Sequence, residues 1–116
     1  MGDDANPPVV LEDLERRLLR AAMLDWGGPA RPTDGLAVAM GFSSAERMPA
    51  EAWQLWTRIE AGERLGPSDW MQVLLAAEIV IVSDVVGSGM DWSTTSGISD
   101  AESVAVLRGL QRKLPR

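Results

Sequence analysis

The chain has 116 residues, a net charge of −6, 46% apolar and 24% charged residues, enough for one domain that buries about two thirds of its surface. An acidic balance with no basic face argues against nucleic acid and against an anionic membrane surface as partners. His, Cys and Tyr are all absent, which removes the neutral-pH base, the thiolate nucleophile, the usual zinc ligands and any disulfide.

Residues 1–7, MGDDANP, read as an acidic flexible tail with no apolar core of a secretory signal. A first helix is expected from Pro8 to about Met23, with Leu11, Leu14, Leu18 and Ala21 or Ala22 on one buried stripe. Its charges, including the i,i+4 pairs Glu12–Arg16 and Asp13–Arg17, read as a solvated surface. Trp26 and Gly27-Gly28 end it, and residues 27–35 form a loop. Leu36–Met40 is a short helix closed by Gly41.

Pro49 opens the next helix, which runs to about Ala61 with Ala52, Trp53, Trp56 and Ile59 inward. Gly62 stops it, and the short GERLGPS connection makes its successor a spatial neighbour. That successor starts near Pro67 or Ser68 and includes VLLAAEIVIVSDVV, Val73 to Val86, an apolar run interrupted by Glu78 and Asp84. Its β-branched far half also suits a strand, but its length favours a helix. At about 14 residues the run is too short for a membrane span, which takes about 20. The last helix follows a Ser99-x-x-Glu102 capping box, with Val104, Leu107, Leu110 and Leu114 on its buried stripe. The Asp-Trp dipeptide recurs at 25–26, 69–70 and 91–92, without the even spacing of a repeat.

Glu78 is the first candidate for function, because a lone charge in an apolar environment needs a partner or a proton. On a helix it shares a face with Met71, Leu74, Val82 and Val85, while Asp84 lies about 120° away. The two acids therefore form no dyad. Glu78 is expected to pair with Arg17, Arg58 or Arg108, or else to line an internal polar pocket. Gly87-Ser88-Gly89 is a short anion-cradle pattern without a P-loop lysine.

Residues 91–102, DWSTTSGISDAE, resemble the twelve-residue calcium loop of EF-hands, with oxygen side chains at positions one, three, five and nine and Glu at twelve. The resemblance implies calcium held by Asp91, Ser93, Thr95 and Glu102. Ser96 stands where the loop's turn needs Gly, Trp92 fills the second position, and the capping box already accounts for Ser99 and Glu102. A weaker resemblance is to helical pyrophosphohydrolases, which hold magnesium through E-x-x-E and a later E-x-x-D. Glu12-x-x-Glu15 and Glu60-x-x-Glu63 match the first half, but Ile81 stands where the second needs Asp after Glu78.

Five Trp against one Phe is a skewed aromatic set. Trp53 and Trp56 read as core. Trp92, with Met90 beside it, is the expected exposed anchor for a protein partner, unless its ring folds back as a lid over the core. Ten Arg against one Lys (Lys113), together with the missing cysteines, suit a bacterial cytoplasmic protein. The expectation is an all-α single domain, residues 8–116, of about four main helices around a central apolar one. Its expected role is a non-enzymatic interaction or regulatory protein without cofactor, with a protein partner or self-association as a homodimer. The alternative is a small-molecule or divalent-ion binding protein, or a carboxylate-dependent hydrolase, using Glu78 and the 87–102 loop.

Overall fold

The computed structural model of the chain describes residues 9–28, 30–83 and 92–115. They hold six helices and no strand. These are α1 (Asp13–Asp25), α2 (Asp34–Ala39), α3 (Met48–Glu60), α4 (Pro67–Val82), α5 (Trp92–Ser96) and α6 (Asp100–Lys113). The four long ones form the bundle expected from the apolar periodicity. No helix among the described residues is long and apolar enough to cross a membrane.

Helix α1 begins at Asp13, not near Pro8, because Glu12 is the N-cap in extended conformation. The Glu15 carboxylate accepts the Glu12 N–H at 2.8 Å, satisfying a donor that the first turn leaves unpaired. Its buried stripe is Leu18, Leu19, Ala22 and Met23, each at most 1% exposed, with Leu14 and Ala21 only partly covered. Helix α1 packs on α3, α4, α5 and α6. Helix α4 in turn meets α1, α3 and α6, so these two helices organise the core. They are tied by Trp26, whose indole Nε1 donates to the Ala76 carbonyl at 3.2 Å.

Helix α2 is capped by Thr33, whose hydroxyl accepts the Leu36 N–H, and Asp34 holds the following loop by accepting the Ala45 N–H at 2.9 Å. Helix α3 has Pro49 in its first turn and buries Met48, Ala52, Leu55, Trp56 and Ile59. Trp53, expected inward, is partly exposed, and Arg20 of α1 lies over its ring at 5.8 Å. Gly62, with φ +80, turns the chain from α3 towards α4.

Helix α4 runs unbroken for 16 residues, including Ile79, Val80, Ile81 and Val82. A continuous helix satisfies its backbone internally, and packing overrides the β-branched preference. Helix α6 starts as expected: Ser99 Oγ accepts the Glu102 N–H at 3.2 Å and donates to the Glu102 carboxylate at 3.0 Å. Its buried stripe is Ser103, Leu107, Leu110 and Leu114, whereas Val104, expected inward, is 52% exposed. Only the first member of the stripe differs, since Ser103 lies four residues before Leu107 on the same face, and it receives a hydrogen bond from the core, described below.

Candidate functional site

Four places could carry function: the Glu78 environment, the segment leading into α6, the outer side of α4, and a cleft at the α3–α4 corner. Glu78 is half-buried on α4. Its carboxylate accepts a short hydrogen bond from Gln111 Nε2 on α6. The amide oxygen of Gln111 in turn accepts from Arg108 Nη1 at 3.1 Å. Arg108 thus reaches the acid only through a neutral amide. Arg58 is engaged elsewhere, by Asp69 at 3.3 Å and Glu63 at 3.7 Å. The expected direct ion pair is replaced by a relay, because Gln111 and Arg108 sit one turn apart on α6, with Gln111 the one that meets α4. Asp84, the other acid of the apolar run, lies outside the described residues.

The segment before α6 decides between the two readings of Trp92 and bears on the calcium-loop resemblance. Trp92 is 0% exposed, and its Nε1 donates to Ser103 Oγ at 2.7 Å. The ring closes over the core and is not at the surface to anchor a partner. A buried indole N–H needs an acceptor, and Ser103 is the polar residue that supplies it. Met90, its proposed companion, lies outside the described residues.

The calcium-loop resemblance also fails to gather its ligands. Residues 92–96 form a helical turn, so Ser93 and Thr95 point about 160° apart at 3.6 residues per turn. Thr95 Oγ1 donates to Asp25 Oδ2 at 3.1 Å, Ser96 Oγ donates to the Trp92 carbonyl at 2.6 Å, and Glu102 is taken up by the Ser99 cap. Asp91 lies outside the described residues. Among the described residues, no group of three acidic side chains could hold a metal ion.

Glu15, read with the solvated charges of the first helix, is buried instead, and so is Asp25. Glu15 is 7% exposed, and its Oε1 also accepts from Lys113 Nζ at 2.7 Å. Lys113 further donates to the Val10 carbonyl at 3.1 Å, so it holds the start of α1 against the last turn of α6. Asp25, also 7% exposed, fixes α5 to the end of α1 through Thr95. An E-x-x-E pattern at a helix start was the available signal for Glu15. The partnership with Lys113, 98 positions away, had none.

The outer side of α4 is the least ordinary surface. Met71, Leu75, Glu78 and Val82 fall within about 60° of one another on the helix. Met71 is 44% and Val82 66% exposed, while Leu75 is partly covered. Glu78, the charge on this stripe, is drawn sideways by Gln111. Beside Met71 lies a shallow groove of about 360 Å³, lined by Ala39 and Met40 from the end of α2 and by Met71, Gln72 and Leu75 from α4. A second recess of about 270 Å³ adjoins it and is polar, with Glu51, Arg58 and Asp69 on its walls. There the Ser43 N–H and hydroxyl both donate to the Glu51 carboxylate, at 2.8 and 2.5 Å, and hold its pKa below the usual 4.5.

No family model, no curated protein and no solved structure matches the chain. The functional reading therefore rests on its own residues.

Proposed function

We propose that this chain is a non-enzymatic interaction protein that pairs with a second copy of itself through the outer side of α4. The observation that carries the reading is the stripe of Met71 and Val82, left open with the partly covered Leu75 between them on the apolar helix α4. Solvated apolar side chains in a row along a helix favour an apolar cover. A chain of net charge −6 repels its own copy in general, so pairing needs a face without unpaired charge. This stripe comes nearest to that need: Glu78 is its one charge, hydrogen-bonded by Gln111 but not neutralised, and its repulsion across the pair weakens the contact.

Geometry favours an antiparallel pair. Met71 and Val82 are separated by about 16 Å at 1.5 Å per residue. An isologous contact then places Val82 of each copy over the groove beside Met71 of the other. Stable interfaces bury about 800 Å² per partner, and a single helical stripe offers less, so the pair is expected to be weak and concentration-dependent. The missing His, Cys and Tyr support a non-catalytic role; as parts of the same proposal, the absence of cysteine suits a reducing cytoplasm and ten Arg against one Lys suit a bacterial source. Glu78, Ser99 and Glu102, which an ion site would draw on, are engaged with protein partners, which favours the interaction reading.

Sedimentation velocity over a rising concentration series tests the reading. The expected result is a shift from monomer to dimer in the micromolar range, abolished separately by Val82→Lys and Met71→Glu. A wild-type protein that stays monomeric at high micromolar concentration overturns it, as does a dimer that both variants preserve.

A further inference from the structure

The corner where α3 turns into α4 carries a cleft separate from the pairing stripe. It encloses about 150 Å³. Its floor is Leu11, Ile59, Leu65 and Trp70, none more than 9% exposed. Arg16 of α1 and Arg64 of the turn stand on its walls. Neither forms an ion pair or hydrogen bond through its side chain with any described residue. Glu63, the acid on the same rim, is engaged by Arg58 Nε at 3.7 Å.

In a chain of net charge −6, two arginines without an ion pair among the described residues, against the one acid Glu63 that Arg58 engages, give this small apolar-floored cleft a net positive rim. Arginine keeps its charge at any physiological pH, and its planar fork matches a carboxylate. The apolar floor asks for more than an anion. A volume of this size suits a benzene-sized group and falls below the ~300–1,000 Å³ of ordinary ligand pockets. An occupant with one ring or a short chain and one carboxylate satisfies both halves.

We propose that this cleft binds a small organic carboxylate, its apolar part on Ile59, Leu65 and Trp70 and its anionic end between Arg16 and Arg64. The site shares no residue with the α4 stripe, so its fate is independent of the pairing proposal. Trp70 in the floor supplies the readout. Its indole N–H resonance, assigned by its loss in Trp70→Phe, is followed while benzoate or hexanoate is titrated into the full chain.

The expected result is a saturable shift of that resonance in the millimolar range. Benzamide and inorganic phosphate should each bind about tenfold more weakly or worse. Arg16→Gln and Arg64→Gln should each weaken benzoate by about tenfold, with an unchanged circular dichroism spectrum. Added salt should weaken benzoate binding to the wild-type protein. The proposal is overturned if neither carboxylate saturates, if benzamide binds as well as benzoate, or if both glutamine variants bind as the wild type does. Phosphate binding as tightly as benzoate overturns it too, since the apolar floor would then play no part.

Discussion

The two sides of α4 are built from the same kinds of residue and have opposite fates. Trp70, Val73, Leu74, Ala76, Ala77, Val80 and Ile81 are at most 6% exposed. Met71 and Val82, on the same helix, stand open to solvent. Glu78 marks the boundary and is held by Gln111 of α6. A helix that is apolar all round normally means burial all round. Here three neighbouring helices cover only part of the circumference, so composition identifies an element of the core without saying which side the core takes.

The sharpest way to break this comparison is one substitution made twice, two residues apart. Val80→Lys places a charge where exposure is 0% and should cost about 4 kcal/mol or more, a large share of a small domain's stability. Val82→Lys, at 66% exposure, should change stability by no more than about 0.5 kcal/mol. Urea unfolding of the two proteins at a concentration where the chain is monomeric decides the matter, and equal losses would show that the outer side is packed within the chain after all.

An intermediate effect is expected at the boundary. Gln111→Leu removes the donor from Glu78 and leaves a half-buried carboxylate without its amide, at a cost of about 1 kcal/mol. A thermal melt unaltered by that change would mean that water already serves Glu78. The smallest effect lies on the rim of the polar recess. Because Ser43 depresses the Glu51 pKa below 4.5, its contribution to stability is complete above that pH and is lost as pH falls through the lowered value. Glu51→Gln should therefore give a flatter fall of melting temperature on acidification, while the two proteins converge at the lowest pH. Melting curves from about pH 6 to about pH 3 check this, and parallel acid limbs would refute it.

Much of the architecture was legible in the sequence, for reasons that are local. The spacing of Leu18 and Ala22, Pro49 and Pro67 in first turns, the Ser99-x-x-Glu102 box and the glycines after α2 and α3 act within a few residues, and all reappear in the helices. The polar partnerships were not legible. Glu15 reads as one of several surface charges on α1, and Glu78 as the anomalous acid of the apolar run. In the fold, Glu15 is the more deeply buried, because α6 lays Lys113 across it, while Glu78 reaches partly into solvent beside Gln111. Trp92 follows the same pattern. Its Ser- and Thr-rich neighbours suggest a surface loop, yet Ser103 accepts its N–H inside the core.

By itself, the sequence determined that this protein is helical, where α3, α4 and α6 begin, and that histidine, cysteine and tyrosine chemistry is closed to it. Those properties follow from backbone propensity, capping and residue inventory, which act over one or two turns. Only the tertiary structure decided which side of α4 stays open, that Trp92 closes over the core, and that Arg16 and Arg64 share a cleft. Each of these depends on how helices far apart in the chain lie against one another, and the buried area and paired charges that fix this arrangement exist only once the helices have met.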